Sequence, residues 1–489
     1  MTWQVVVLTV YLVLLATLSG NGLHRLWLLS AYRRRQPAPP RVDPEVWPWV
    51  TVQLPVFNER DVVERLILAC GEFDYPRDRL QIQVLDDSTD DTTERAAAAV
   101  GLLCRRGIDA VLVRREDRTG FKAGALEAGL ASASGEVIAI FDADFIPPKA
   151  FLRETVPFLR GRIGMVQARW GHLNWDDSWL TTAQSTLLDG HFVIEHTARY
   201  ASGRWFNFNG TAGIWRRQAI LDAGGWQHDT ITEDLDLSYR AQLAGWEFMY
   251  RVDLVADAEL PPDMAAFKTQ QSRWAKGSIQ TARKLLGRIW RSGAPLKVKA
   301  EATAHLTANL AYPMVLALSL LLPWAVGARI NGAPDRLIQL DLLLFGAALF
   351  PFLAFYAVAI LGSARPGSTR RLIRLPYALA LGLGIAVNQT WAVFEGATRS
   401  GGIFVRTPKK GDTARGSYRA RVHGLVGVEL ALAAYLGLAC LYVIASGYLA
   451  SVPFLALFAV GYGSVGLQSL LAASNGSAPV PERTVPVAK

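Results

Sequence analysis

Two carboxylates separated by one residue, Asp142 and Asp144, close the apolar run VIAIF. Side chains two apart on a strand point the same way. Such a pair can hold Mg²⁺ or Mn²⁺ against a diphosphate, where the cation neutralises the charge of a leaving group. By itself, a D-x-D at a strand end serves equally well as a cap for the next helix. Asp86 and Asp87 also follow an apolar run, IQVL, where a carboxylate can accept hydrogen bonds from a base or ribose. Asp90 and Asp91 behind them read as N-cap residues. Lys122, in GFKAGAL, stands where a helix begins and can meet a phosphate there, or simply be solvated.

Asp234, in TITEDLDL, lies near another helix start, with Thr232 as its cap. A carboxylate beside a sugar hydroxyl can remove its proton, a service worth roughly 10²–10⁴-fold in rate. The competing reading is that Glu233, Asp234 and Asp236 only complement the helix dipole. Gln270, Arg273 and Trp274 occupy i, i+3 and i+4 of a helix beginning near Pro262, so they share one face. An amide, a guanidinium and an indole together suit diphosphate oxygens and a sugar ring stacked on the indole. The helix continues through AKGSIQTARKLLGRIW, an amphipathic pattern that also suits a membrane surface.

The elements that must position these groups lie between residues 49 and 260. Runs rich in β-formers (VTVQLPV, IQVLDD, AVLVR, EVIAIFDAD, GMVQAR, GIWR) alternate with helix-like stretches at 61–70, 92–105 and 122–133. This alternation predicts an α/β domain, a mostly parallel sheet flanked by helices. Active groups then gather at the carboxyl ends of the strands, where DDSTDD and FDAD fall.

The flanks are of a different kind. Mean hydropathy is +0.19, high for a soluble enzyme. Val5 to Leu29 is nearly all apolar, long enough to cross a hydrocarbon core of about 30 Å. Arg33 to Arg35 follow it, which predicts an uncleaved anchor over 1–32 with its C-terminal end cytoplasmic. A proline-rich linker covers 33–48. The amphipathic helix region spans 261–300, and 301–472 holds five apolar stretches, at 305–326, 338–362, 375–396, 424–446 and 449–471. Both loops around 375–396 are basic, and the stretch carries Asn388, Gln389 and Glu395, so it should lie in the interface or re-enter. Five true spans are expected, with a tail at 473–489 of disordered composition.

The net charge of +9 sits beside apolar segments, at 33–35, 365–374 and 406–421. That fits the positive-inside bias, and no nucleic-acid motif accompanies it, so no nucleic-acid partner is expected. Cys70, Cys104 and Cys440 have no metal-ligand spacing, and their odd number argues against a disulfide framework. A cell-membrane, multi-pass protein with a cytoplasmic catalytic domain is the reading that follows.

The ordered set DDSTDD, FDAD, TED and QQSRW resembles the D, D, D, Q-x-x-R-W signature of processive family 2 glycosyltransferases. QLPVFNE, VLDDSTDDT, FNGTAGIWR, AGGW and ELP followed by QQSRWAKG are most similar to the cellulose-synthase-like mannan and glucomannan synthases. The likeness runs from Thr51 to Arg291 and more weakly to Lys410. It implies a GT-A fold that takes a hexose from UDP-glucose or GDP-mannose with inversion. The acceptor would be a growing β-linked polysaccharide, exported as it forms, or alternatively a membrane lipid.

By motif match, Asp234 would be the base. Pro55, Glu59, Asp87, Lys122, Asp142, Gln270 and Arg273 would bind the donor. Asn209, Gly210, Thr211 and Trp274 would meet the acceptor, and Asp142 and Asp144 the metal. FVRTPK at 404–409 resembles the gating-loop motif F-x-V-T-x-K, which nominates Phe404, Thr407 and Lys409, although Arg406 replaces its valine.

Overall fold

The computed structural model describes residues 3–35, 39–331, 335–363, 365, 367–402, 406 and 424–474. Seven strands form one sheet: β1 (Val50–Val56), β2 (Leu80–Asp86), β3 (Asp109–Arg114), β4 (Val137–Ile140), β5 (Ile163–His172), β6 (Gly213–Arg216) and β7 (Glu247–Ala258). Their order is β3-β2-β1-β4-β6-β5-β7. β1 runs parallel to β2 and β4, β2 to β3, and β5 to β7. β6 alone runs antiparallel to both of its neighbours, β4 and β5. The sheet is therefore mixed, with a parallel half that carries the first two acidic motifs.

β1 and β2 are buried on both faces, although Thr51, Gln53, Gln81 and Gln83 alternate with their apolar residues. On one face Val50, Val52 and Leu54 pack with Val63, Leu66 and Ile67 of the helix Val63–Gly71 and Leu103 of the helix Thr92–Arg105. On the other, Leu85, Ile138 and Ile140 pack with Leu126 and Leu130 of the helix Phe121–Ser132, and with Phe208 and Trp215. Each such side chain contributes roughly 1.5–3 kcal/mol on burial. Buried polar residues pair across β1 and β2: Thr51 donates to Gln81 Oε1 at 2.9 Å, and Gln53 Nε2 to Gln83 Oε1 at 3.1 Å.

Among the described residues five helices are long and apolar enough to cross a membrane: Trp3–Arg33, Leu296–Ile330, Gln339–Gly362, Val426–Ala445 and Leu449–Ala472. A sixth apolar segment, Leu375–Gly384 plus Ala386–Thr398, is bent by 46° at its break. Its polar residues turn toward protein. Asn388 donates to Lys268 O at 3.2 Å and Gln389 to Gln271 O at 3.2 Å. Both acceptors belong to the helix Met264–Arg291, which Asp263 caps by accepting from Ala266 N at 2.9 Å.

Candidate active site

The sheet brings the acidic motifs to one edge. Asp87 follows β2, and its N–H donates to Val56 O at 3.0 Å. Its carboxylate does not stand open: the Arg115 guanidinium grips both oxygens, with Nε at 2.9 Å from Oδ1 and Nη2 on Oδ2. Arg115 also donates to Thr119 O at 2.8 Å and Phe121 O at 3.1 Å. Asp87 therefore organises the turn that leads into the helix Phe121–Ser132. Gly120 and Phe121 both take positive φ there, 74° and 50°. That turn delivers Lys122 inward.

Lys122 Nζ lies 2.5 Å from Asp142 Oδ1, 3.0 Å from Gly210 O and 4.0 Å from Glu233 Oε1. Burial alone would depress its ammonium, but Asp142 and Glu233 outweigh burial and hold it above its ordinary range. Gly210 has φ +79°, and a Cβ there would stand 3.1 Å from Asp234 Oδ2 and 3.3 Å from Lys122 Nζ. Glycine thus lets the FNGT backbone approach both charged groups.

Asp234 starts the helix Glu233–Leu243, and its Oδ1 accepts from its neighbour Leu235 N at 2.8 Å. Burial, then the adjacent Glu233 carboxylate, pushes its carboxyl up to about 7, against the pull of Lys122. Glu233 is raised for the same first reason. Arg273 enters from the helix Met264–Arg291; burial depresses its guanidinium, while Glu233, Asp142, Asp234 and Asp144 support the charge. Arg118 sits over the Phe57 ring at 3.1 Å, a cation–π contact at the mouth of the same space.

One cavity is lined by Pro55, Glu59, Asp87, Lys122, Asp142, Asp144, Asn209, Gly210, Asp234, Gln270, Arg273 and Trp274. Arg406 joins them and donates to Glu59 Oε2 at 2.8 Å. Thr211 does not line it. That residue is fully buried behind Asp142, accepting from Asp142 N at 2.9 Å, so its hydroxyl braces the D-x-D turn. Phe404, Thr407 and Lys409 lie outside the described residues. Among the described residues no three His, Cys, Asp or Glu side chains gather into a complete metal cage. Two carboxylates without a soft ligand fit a hard divalent cation that completes its shell from phosphate oxygens.

The motifs left out a second layer. Asn209 is held by His191 Nε2 at 3.0 Å, His196 Nε2 at 2.7 Å and Asn207 Nδ2 at 3.2 Å. His191 leans on Glu195 (3.2 Å), Glu195 on Arg199 (3.1 Å), Arg199 on Glu301 (2.9 Å) and Glu301 on His24 (2.8 Å). This chain joins the FNGT segment to the helix Trp3–Arg33. Burial opposes ionisation of Glu195, but Arg199 and His191 hold its carboxyl well below the usual range. The signal was present in HFVIEH, where His191 and Glu195 sit four apart, yet the stretch departs from plain helix as a π-turn at Gly190–Glu195. Trp170 and His172 also line the cavity and belong to none of the motifs.

Residues 48–277 match the family described as "Glycosyltransferase like family 2". Glucomannan 4-beta-mannosyltransferase 2 of Arabidopsis thaliana is 46% identical over 255 residues, 50% of this chain and 47% of that one. Glucomannan 4-beta-mannosyltransferase 7 of the same plant is 32% identical over 453 residues, covering 86% of this chain and 77% of its own length. For the higher-identity matches the chain spans about half the relative's length. Among solved structures, the mannosyltransferase PcManGT from Pyrobaculum calidifontis, determined with GDP-Man and Mn²⁺, has a TM-score of 0.51 at 23% identity. That match covers 75% of this chain and 99% of the archaeal one, and it shows a shared fold. With the signature residues converging on one cavity and the alignment running along most of its length, this chain belongs to the family 2 glycosyltransferases, among their glucomannan synthase-like members, and is built on a GT-A fold.

Proposed function

We propose that the protein is a membrane-integrated, inverting hexosyltransferase that adds mannose from GDP-mannose to a growing β-linked polysaccharide. The observation that carries this reading is the meeting of Asp142, Asp144, Asp234, Arg273 and Trp274 in one cavity. The relatives' activity, printed as glucomannan 4-beta-mannosyltransferase, supports the choice of mannose and of a β-1,4 product.

In this mechanism Asp234 takes the proton of the acceptor hydroxyl. The freed oxygen attacks the anomeric carbon on the face opposite the diphosphate, the bond to the diphosphate breaks, and the configuration inverts. Lys122 and Arg273 face the departing oxygens with two positive charges in a buried setting, where such charges act most strongly. Asp142 and Asp144 would hold Mg²⁺ or Mn²⁺, which supplies further charge neutralisation to the leaving group. Trp274 offers its indole to the terminal acceptor sugar. The catalytic face is cytoplasmic in this reading, the side set by Arg33 to Arg35 after the first apolar helix.

The test is to supply the purified full chain with labelled GDP-mannose or UDP-glucose and a divalent metal, then to size the products. Long β-1,4-linked mannan is the expected result. Lipid carrying one or a few sugars, with no polymer, would replace this reading with distributive glycolipid synthesis.

A further inference from the structure

The signature residues of the helix Met264–Arg291 occupy its first half, and a second polar stripe follows them. Lys276, Gln280 and Lys284 stand four apart, hence on one face. None of the three is among the described residues that line the cavity. Gln280 is 3% exposed, and its amide bonds in two directions. Oε1 accepts from Ile231 N at 2.9 Å. Nε2 donates to Arg399 O at 3.1 Å and to Gly401 O at 2.7 Å.

Ile231 opens the run 231–234, and all four of its residues line the cavity. Lys284 braces the chain on both sides of that run. Its Nζ stands 2.7 Å from Gln227 Oε1, 2.6 Å from Asp229 Oδ1 and 2.9 Å from Asp236 Oδ1. Gly401 N donates to Asp229 O at 2.9 Å. Lys276 lies 3.6 Å from Glu395, and Arg283 donates to Gly396 O at 3.0 Å. The stripe therefore joins the run that ends in Asp234 to the end of the bent apolar segment and the residues just after it. The helix Glu233–Leu243 begins without a side-chain cap, since the Thr232 hydroxyl bonds none of its N–H groups. Its approach is held from across the interface by the Gln280 amide, a group that accepts and donates at once.

We propose that Gln280 is a positioning residue for Asp234, setting the run 231–234 against residues 399–401 so that the base meets the acceptor hydroxyl. The proposal rests on the reading above in which Asp234 is the base. Gln280 touches no substrate in this role. It acts through the backbone three residues before the carboxylate, where a shift of about 1 Å can cost about 100-fold in rate.

The test is a cycle between Gln280→Met and Asp234→Asn in the full chain, with GDP-mannose and a saccharide acceptor. Rates are taken per GDP-mannose-binding site, so that misfolded protein does not count. Gln280→Met keeps the length of the side chain and removes its three hydrogen bonds. Alone it should lower kcat about 10- to 100-fold, with the Kd for GDP-mannose within about twofold. In the Asp234→Asn background it should lower kcat by less than about twofold, because no base is left to position. Equal losses in the two backgrounds, an unchanged kcat in Gln280→Met, or a Kd that rises in step with the lost rate would each overturn the positioning role. Should Gln280→Met fail to fold, the isosteric Gln280→Glu, which sets a carboxylate against Arg399 O and Gly401 O, runs the same cycle with the same expectation. An Asp234→Asn chain that transfers at the wild-type rate would instead sink the base assignment, and the positioning role with it.

Discussion

Lys122 and Asp142 form an ion pair lining the cavity, Nζ to Oδ1 at 2.5 Å, with the lysine 14% exposed. The pair ties the helix after β3 to the carboxyl end of β4. Lys122 also stands 4.0 Å from Glu233 and counters the charge of Asp234. Lys122 and Arg273 enter the cavity from separate motifs and offset the cluster of Asp142, Asp144, Glu233 and Asp234.

Lys122→Met removes one of those cations. A positive neighbour favours the ionised carboxylate, so its loss should move Asp234 further up. The acid limb of the rate-against-pH curve should shift to higher pH by the same amount, and donor affinity should fall. Rates measured across pH, with GDP-mannose titration alongside, check both effects. An unmoved limb would detach Lys122 from the base.

Asp234→Asn should lower transfer by roughly 10²–10⁴-fold while leaving nucleotide affinity within about twofold, because in the proposed mechanism Asp234 is the base that acts on the acceptor. In the wild type the carboxyl titrates at about 7, so activity should rise as pH climbs through that value and then level off. The variant should lose this limb. Stability runs the other way. A carboxyl raised in the folded state favours the fold while protonated, so its contribution is lost as pH rises from the ordinary carboxylate range through about 7. Asp234→Asn should therefore flatten the decline of Tm between about pH 4 and pH 7. A parallel loss of nucleotide binding would contradict the assignment of the base.

Some of this site could be read from the residue order and some could not. The D-x-D pair was legible because VIAIF has to be a buried strand, and acids at its end have to emerge at the carboxyl edge. The partner of Asp87 was not, since Arg115 lies 28 residues away with no periodicity to point to it. FNGT reads as a unit, yet only Asn209 and Gly210 face the cavity while Thr211 turns inward. β7 escaped notice because Glu247, Arg251, Asp253 and Asp257 interrupt its text. The reversal of β6 has no sequence sign either: a strand buried on both faces reads alike in either direction. By contrast, Asn388 and Gln389 did mark the bent apolar segment, since amides facing lipid would have been unsatisfied.

Two glycines of the helix Met264–Arg291 should respond oppositely to the same change. A Cβ on Gly277 would run into the Thr232 side chain, two residues before Asp234 and at the N-cap position of its helix, where the Thr232 hydroxyl makes no capping bond. Gly277→Ala should cost about 1–3 kcal/mol through overpacking and depress the transfer rate by displacing the TED turn. Gly287 meets only the mobile tip of Arg291, at 3.2 Å. Gly287→Ala should be neutral or stabilise by up to about 1 kcal/mol, the helix propensity difference. Thermal melts and initial rates on the two variants make the comparison, and equal behaviour would deny that Gly277 seats the motif.

Trp274→Ala should divide the two half-reactions. The indole shares its helix face with Arg273 and Gln270, all three lining the cavity, so its loss leaves both polar neighbours in place. In the proposed mechanism donor binding and slow transfer to water draw on Lys122, Arg273 and the carboxylates, which the substitution does not touch. In the proposed mechanism transfer to a saccharide needs the terminal sugar held against the indole, and burying the apolar face of one ring there is worth roughly 1–2 kcal/mol at about 25 cal/mol per Å². The KM for a saccharide acceptor should thus rise about 5- to 30-fold with hydrolysis of GDP-mannose nearly unchanged. Trp274→Phe should fall between the two, since it keeps a smaller plane. Equal loss of hydrolysis and transfer in Trp274→Ala would mean that the indole supports the diphosphate pocket rather than the sugar.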